Sequence, residues 1–445
     1  MLDVNQKFGY FHPQETEGRA MSPLHRSVSL PRTGRLLPTG ATRGFTVLMD
    51  GLRKFPIRPT GAGDTFQLFL DGTPRTRAWL MSETGHSRST VAARIDALVR
   101  IGVLAPTGEA SSTGGRPPAT FAFEPNARMV LGVDLGATRA RVGLTNLSGK
   151  LLVEFDELVP IGDGPEKVLT WVADVAEKLL AQVGRTIRDL AGVGIGVPGP
   201  VDHTTGRPVN PPIMPGWNDV DVPAMLSARL GVPVAVDNDA NIIALGEQRT
   251  IYPGERELLF VKVATGIGAG ILMDGELRRG AQGAAGDIGH LSLADHADVL
   301  CRCGNYGCLE AVSSLSSIAG HLSSETGTDV TTDDVITRVR SGDVRANAHV
   351  RQAGRDIGAA LASAVNLLNP SRIVVGGHLA LAGDQLIAGI REVVYQRCMP
   401  LATARLSITT ARAGNSAGIV GAATLVIDQF LSPEAIEGLI LSKEA

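Results

Sequence analysis

Three of the chain's four cysteines lie within the stretch CRCGNYGC, from Cys301 to Cys308. A disulfide between Cys301 and Cys303 would close a small, strained ring, so the spacing favours a metal site. In structural sites zinc is held by four thiolate and imidazole ligands in a tetrahedron. The thiols supply three ligands, and His290, shortly upstream, is preferred over His296 as the fourth. The sequence therefore predicts a structural Zn²⁺ site, with three reduced, half-buried thiols as the alternative.

A glycine-containing turn after an apolar stretch is the second chemical feature. Asp134 ends the stretch MVLGVD and is followed by Gly136 and Thr138. Such a turn can bind phosphate through backbone N–H groups and a hydroxyl, while the aspartate orients a hydrated magnesium ion. A second turn of this kind contains Thr265, Gly266 and Gly268.

A carboxylate suited to proton transfer follows the predicted strand VPVAVDN. Asp239 comes directly after Asn238, where the strand meets a helix start. A carboxylate there can take a proton from a bound hydroxyl group. The alternative is an ordinary helix cap. Further along, the pair Gly376 and Gly377 is expected to let a nucleotide approach the backbone.

The elements that position these residues occur twice along the chain. The first set begins at Met129 with three predicted strands, a helix over about 164–182 and the buried strand LAGVGIGV. A second set of strands begins with ELLFVKVATGIGAGILMDGELRRG, and a helix–strand–helix run and an apolar final helix follow. Each set has a glycine-rich turn after its first strand. The repetition predicts a duplicated two-lobed α/β fold with a cleft between the lobes.

A smaller domain precedes the lobes. In RTRAWLMSETGHSRSTVAARIDALVRIGVL, Gly85 suits a tight turn and Ser87 suits a helix N-cap. The stretch predicts a helix-turn-helix, and GVLAPTGEASSTGGRPPATFAFEP predicts a two-stranded wing. The alternative is a small helical adaptor with a solvated arginine face. The candidate DNA contacts are Arg88, Ser89, Thr90 and Arg94 on the exposed start of the second helix, and Arg116 on the wing.

Composition limits the location and the partners. The 445 residues carry a net charge of −3, so any nucleic-acid site must be a local patch. No apolar run is long enough to span a bilayer, and the N-terminus lacks the apolar segment of a secretory signal. With so few cysteines, these features predict a cytoplasmic protein without a membrane partner. Residues 1–61 are expected to form a disordered basic tail, and residues 432–445 a C-terminal tail.

At this point a family resemblance is clear. In their order along the chain, DLGAT, DNDANIIALGE, TGIGAG, GAAGDIGH and CRCGNYGCLE resemble the motifs of the ROK family, which joins repressors, open reading frames and sugar kinases. The similarity covers about residue 62 to about residue 430 and is closest to the regulator branch. It implies an N-terminal winged helix-turn-helix at 62–127 and a two-lobed actin-like ATPase (ribonuclease H-like) sugar-kinase fold at 128–431. Lobe one is expected at about 128–247 plus the C-terminal helix, and lobe two at about 248–415.

The resemblance also implies which residues hold a sugar, and it repeats the zinc ligands His290, Cys301, Cys303 and Cys308. Carboxylate and amide groups bind several ring hydroxyls at once, which discriminates among hydroxylated ligands. Asp287 departs from the glutamate usual in the family and withdraws its carboxylate by one methylene group. The sugar contacts so implied are Asn238, Asp239, Asp287, His290 and Glu310, and Asn210 and Gly199 are expected to line the same cleft.

Two functions fit these features. The first is a sugar-responsive transcriptional regulator, most often a repressor, that binds a palindromic DNA operator as a homodimer or homotetramer and responds to a sugar or phosphosugar. The alternative is an ATP-dependent sugar kinase, or a bifunctional regulator and kinase, which would need Mg²⁺, ATP and Asp239 as the catalytic base. Ala137 stands in the first turn where kinases of the family prefer glycine, and a kinase has no need of a winged helix. The regulator is therefore favoured.

Overall fold

The computed structural model describes residues 61–109 and 118–444. The predicted tail over residues 1–60 and the wing residue Arg116 lie outside these ranges, so those two predictions stay untested.

The head, residues 61–127, forms its elements in the order predicted for a winged helix-turn-helix. Its strands pair in the order β1-β3-β2, and β2 and β3 form an antiparallel hairpin. Its elements are α1 (Ala62–Gln67), β1 (Arg75–Thr76), α2 (Arg77–Thr84), α3 (Arg88–Ile101), β2 (Leu104–Glu109) and β3 (Ala119–Phe123).

The turn between α2 and α3 has the predicted local chemistry. Gly85 ends α2 with a φ of 69°, a left-handed conformation that costs glycine little. Ser87 caps α3, because its side chain accepts a hydrogen bond from the N–H of Thr90. From α3, Val91, Ile95 and Leu98 are buried in the head's apolar core. The packing fixes the angle between the two helices.

Lobe one contains a sheet with the strand order β10-β7-β4-β5-β6. Strands β4, β5 and β6 form the predicted antiparallel meander, and β7 and β10 continue the sheet in parallel. Its elements are β4 (Met129–Leu135), β5 (Ala140–Asn146), β6 (Leu151–Glu157), α4 (Pro165–Gln182), β7 (Leu190–Val197), β8 (Val201–Asp202), β9 (Arg207–Pro208), α5 (Val222–Leu230), β10 (Val234–Asn238) and α6 (Asp239–Ile251).

Lobe two repeats this topology. Its strand order is β13-β12-β11-β14-β15, with an antiparallel meander first and two parallel strands after it. Its elements are β11 (Leu258–Val263), β12 (Ile267–Met273), β13 (Glu276–Leu277), α7 (Leu309–Ser313), α8 (Leu315–Thr326), α9 (Thr332–Arg340), α10 (Val344–Leu368), β14 (Arg372–Gly376), α11 (Asp384–Arg397), α12 (Pro400–Thr403) and β15 (Ser407–Thr410). The predicted duplicated α/β fold is thus confirmed.

Helix α6 and the late helix α13 (Ala417–Phe430) cross between the lobes. The crossing is close because each helix offers a glycine there. A Cβ at Gly246 would collide with the carbonyl of Ala417, and one at Gly421 would collide with the carbonyl of Ile242. The buried carboxylate of Glu247 accepts the N–H groups of Arg412 and Ala413 at 2.8 Å each, where the chain passes from β15 to α13.

Residues 432–445 were expected to be a tail, and this expectation is wrong. Helix α14 (Pro433–Glu444) packs against α1 and α3 of the head. Ile436 and Ile440, one helical turn apart, are buried in the head's core. Glu437 accepts the N–H of Gly63 at 2.9 Å. The chain's C-terminal helix therefore anchors the head to the body.

Within residues 61–109 and 118–444, no single helix has the length and apolar character of a membrane span, although α13 with its preceding turn and α14 meet that test together as a pair bent by 63°.

Candidate functional site

Four side chains converge in the geometry of a metal centre. One ligand atom from each of His290, Cys301, Cys303 and Cys308 lies within 4.8 Å of all the others. The sulfurs of Cys303 and Cys308 are 3.7 Å apart, and the Sγ of Cys301 is 3.8 Å from the Nδ1 of His290. Ligands 2.3 Å from a tetrahedral centre lie about 3.8 Å apart. The donor set and its spacing therefore fit one tetrahedral metal ion.

A short loop holds these ligands. Gly304 and Gly307 adopt φ values of 92° and 73°, which let the chain reverse between Cys303 and Cys308. Two isolated antiparallel β-bridges, one between Ser292 and Cys308 and one between Leu300 and Tyr306, close the loop through backbone hydrogen bonds. His296, the less favoured fourth ligand, lies outside the cluster, with its Nε2 3.9 Å from Asp356.

The thiols differ in their ease of deprotonation. The N–H of Asn305 lowers the pKa of Cys303 to about 7, and burial raises the pKa of Cys308 to about 12. Thiolates are the forms that bind metal, so a cation must displace the proton from Cys308. Cys303 is exposed, whereas Cys301 and Cys308 are buried.

The second group of residues, called the acidic side of the cleft, comprises Asp237 and Asn238 at the end of β10, Asp239 at the start of α6, and the exposed Asp287. Asp237 is 3% exposed and accepts hydrogen bonds from the Nε of Arg279 at 2.6 Å and from Asn241 at 2.7 Å. Asn238 caps α6 by accepting the N–H of Ala240, and its Nδ2 donates to the carbonyl of Gly199 at 3.0 Å. The bond to Gly199 fixes the start of α6 within lobe one, and the bond from Arg279 ties the end of β10 to the segment after β13.

Asp239, the first residue of α6, is 5% exposed and pairs with the ammonium group of Lys262 on β11. Asp134, at the end of β4, is also buried, and the Nη1 of Arg141 lies 3.6 Å from its carboxylate. Burial raises the pKa of Asp134, against the opposing effects of Lys262 and Arg141. Burial lowers the pKa of Lys262, but Asp239 and Asp134 more than offset this, so its pKa is raised overall. Lys262 therefore stays an ammonium ion.

Glu310 joins the metal loop to the cleft. It follows Cys308 by two residues, and its Oε2 accepts the N–H of Ile267 at 3.0 Å. Asp287 and Asn210 are exposed, and Asn210 adopts a φ of 43° while its N–H donates to the side chain of Asn218 at 2.7 Å.

Three of the glycines singled out in the sequence, Gly266, Gly376 and Gly377, are closely packed against other parts of the protein. A Cβ at Gly376 would come within 2.5 Å of the Phe260 ring, and one at Gly377 within 2.5 Å of the carbonyl of Val263. A Cβ at Gly266 would come within 2.7 Å of the Glu310 carboxylate. These neighbours explain why glycine stands at each position. Gly136 and Thr138 lie in the turn between β4 and β5, and Thr265 lies in the turn between β11 and β12; both threonines are exposed, and Gly268 is the second residue of β12.

The sequence analysis missed Lys262, Asp237 and Arg279. A lysine flanked by buried Val261 and Val263 was a usable signal, because a charge inside an apolar strand needs a partner. The pairing of Asp237 with Arg279 joins two distant parts of the chain and left no local pattern.

In the head, Arg88 and Ser89 are exposed at the start of α3, and Thr90 is half-buried beside the Ser87 cap. Arg94 was predicted to be exposed, and the structure shows it half-buried. Arg94 lies three residues after Val91 on the buried stripe, and it donates to the Oγ1 of Thr65 at 3.2 Å. Its guanidinium faces α1 and the acidic groups of Asp64 and Glu437.

Three kinds of comparison bear on this arrangement. The sequence model of the ROK family matches residues 130–429. The xylose repressor of Caldicellulosiruptor bescii is 29% identical over 377 residues, which cover 82% of this chain and 94% of that protein. A glucokinase of Halalkalibacterium halodurans is 32% identical over 322 residues, which cover 69% of this chain and 97% of the glucokinase.

The fold comparison agrees. The crystal structure of a ROK family transcriptional regulator, described as a homologue of the E. coli MLC protein, superposes with a TM-score of 0.73. The match covers 86% of this chain and 98% of that one, and at 23% identity it speaks for the fold.

Proposed function

Because the chain belongs to the ROK family, we propose that it is a sugar-responsive transcriptional repressor that binds operator DNA. The extent of the repressor match carries this proposal. Residues 130–445 are too few to hold 82% of the chain, so the match must reach into the head. The glucokinase is covered over 97% of its length by only 69% of this chain, which leaves the head without a counterpart there.

The head is the proposed DNA reader. A helix-turn-helix places the start of its second helix in the major groove, where Arg88, Ser89 and Thr90 stand on α3. Arg116 on the wing keeps its proposed phosphate or minor-groove contact. Arg94 is reassigned to holding α3 against α1 and α14. Two heads of a homodimer or homotetramer would bind the two halves of a palindrome.

The cleft is the proposed sugar site, and the metal centre is proposed to hold structural zinc. Asn238, Asp239, Asp287 and Glu310 offer the donors and acceptors that ring hydroxyls need, with Asn210 and Gly199 at the margin. His290 turns Nδ1 to the metal cluster, which leaves Nε2 for a sugar hydroxyl. Zinc would fix this ring and the loop that carries Glu310. Three free thiols suit the reducing cytoplasm.

A sugar kinase is the second candidate, because the glucokinase match spans nearly all of that enzyme. In that case Asp239 would be the base, Asp134 would bind Mg²⁺, and the turns containing Gly136, Thr138, Thr265, Gly266 and Gly268 would face ATP. The pairing of Asp239 with Lys262 counts against this candidate, since one carboxylate oxygen already accepts a hydrogen bond from an ammonium group and would have to leave it to take up a substrate proton.

The test is operator capture followed by ligand release. The protein is bound to genomic fragments of its source organism at physiological salt and then challenged with xylose, glucose and their phosphates. We expect enrichment of a palindromic site that one of these ligands releases. Absence of any enriched site, together with efficient ATP-dependent phosphorylation of one of these sugars, would overturn the repressor proposal.

Substitution of the recognition helix sharpens this test. Arg88→Ala should weaken operator binding by about 10- to 100-fold, the cost of one lost base contact, while sugar affinity stays unchanged. The matched control is Arg229→Ala, which removes an exposed arginine from α5 in lobe one. Unchanged operator affinity in Arg88→Ala would show that this helix start does not read DNA.

A further inference from the structure

The side chain of Lys262 has no neighbouring side chain at its own level on the two adjacent strands. It lies on β11, and its cross-strand partners are Gly268 on β12 and Gly376 on β14. Neither glycine has a side chain to cover it. The residues before and after it, Val261 and Val263, point into the core of lobe two and are fully buried. The strand therefore presents one cation on its cleft face, and that side chain is only 21% exposed.

The ammonium group meets the two carboxylates that a phosphoryl-transfer site would need for other purposes. It hydrogen-bonds the Oδ2 of Asp239, which starts α6. It also acts on the charge of Asp134 at the end of β4, which Arg141 approaches from the other side. Lys262 thus links lobe two to lobe one through the residues at the base of the cleft.

Charge balance decides what this cluster can hold. Mg²⁺ binds oxygen ligands of negative charge, and phosphoryl transfer uses it to neutralise the phosphates. Here each carboxylate already has a cation beside it, because Lys262 bonds Asp239 and Arg141, which also pairs with Asp156 at 3.1 Å, lies 3.6 Å from Asp134. A divalent cation at Asp134 would be repelled by a neighbouring ammonium ion in a site with little water to screen it. The residues present do not fit Mg²⁺.

We propose that Lys262 is the resident cation of the cleft, so that the protein binds its sugar without a divalent metal ion. Lys262 holds Asp239 in place with one oxygen bonded, and the other oxygen remains an acceptor for a sugar hydroxyl. This inference rests on the proposed sugar site, but its test needs neither sugar nor DNA.

The experiment titrates zinc-loaded full-length protein with Mn²⁺ and follows the free ion by electron paramagnetic resonance. The variants are Lys262→Met, which removes the cation, Lys262→Arg, which keeps it, Asp134→Asn, which removes one carboxylate, and Lys262→Met combined with Asp134→Asn. We expect Lys262→Met to bind one additional Mn²⁺ per chain at least tenfold more tightly than the wild type. The double variant should lose that site, and Lys262→Arg should match the wild type.

Two results would overturn the proposal. One is wild-type protein that binds Mn²⁺ as tightly as Lys262→Met in a manner abolished by Asp134→Asn alone. The other is a folded Lys262→Met protein without an additional site. If Lys262→Met fails to fold, Lys262→Gln and the wild-type comparison with Asp134→Asn decide the question. A protein that shows the expected Mn²⁺ pattern but captures no operator would refute the proposed function and leave the role of Lys262 intact.

Discussion

The acidic side of the cleft and its glycine turns differ in how far their polar groups, and the space beside them, are already occupied by neighbouring residues. On the acidic side, Asp239 keeps one oxygen outside its bond to Lys262, and Asp287 is exposed. In the turns, the N–H of Ile267 is taken by Glu310, and the space beside Gly376 is taken by Phe260. Both regions carry the motif letters of a sugar kinase. Gly266 and Gly376 therefore have a packing reason to be glycine that needs no ligand, whereas on the proposed sugar side an oxygen of Asp239 is left over from its bond to Lys262.

The largest effect should come from the metal loop, which supports the acidic side. Cys303→Ser removes one of four ligands, so the loop that carries His290 and Glu310 loses its anchor. We expect loss of bound zinc and a fall in sugar affinity of about 100-fold, the upper range for losing support of a site. Zinc content by atomic absorption and sugar binding by calorimetry measure both. Cys398→Ser is the control, because that thiol is buried elsewhere and donates to the carbonyl of Ala362.

A Cys303→Ser protein with full zinc content would contradict the ligand assignment. Zinc loss without any change in sugar affinity would instead show that the acidic side, with Asp237 and Asp239, binds sugar independently of the metal loop.

A smaller effect should follow Asp239→Asn. The amide keeps the shape of the side chain but replaces a charged acceptor, and a hydrogen bond to a charged group contributes about 1.5–3 kcal/mol. Sugar affinity should therefore fall by roughly 10- to 100-fold. Asp174→Asn on α4, which changes an exposed carboxylate far along lobe one, is the control. Equal sugar affinity in Asp239→Asn and wild type would remove Asp239 from the site.

Local patterns were enough for the convergence of His290 with the three thiols, for the two meanders and for the Ser87 cap, because each depends on residues close in sequence. Arg94 was misplaced because its periodicity matches the buried stripe, whereas its charge suggested an exposed face. Helix α14 was missed because its apolar residues gain a partner only when the head folds against it. Lys262 and the pairing of Arg279 with Asp237 depend on contacts between separate strands and loops, which no short stretch of sequence encodes.

The smallest effect on binding should come from substitution of a closely packed glycine, which should change stability but not sugar affinity. Gly376→Ala would push a methyl group against the Phe260 ring and the side chain of Ala411, so we expect a loss of about 1–3 kcal/mol in the free energy of unfolding. Gly320→Ala is the matched control, because that exposed helical glycine has open space around it and alanine should be neutral or stabilising. Denaturant unfolding measures the stability of both variants, and calorimetry measures sugar and ATP affinity. Since Gly376 is a packing residue, the folded Gly376→Ala protein should bind sugar as the wild type does. A selective loss of ATP binding in that variant would mean that a nucleotide binds beside Gly376, and both sides of the cleft would then bind ligands.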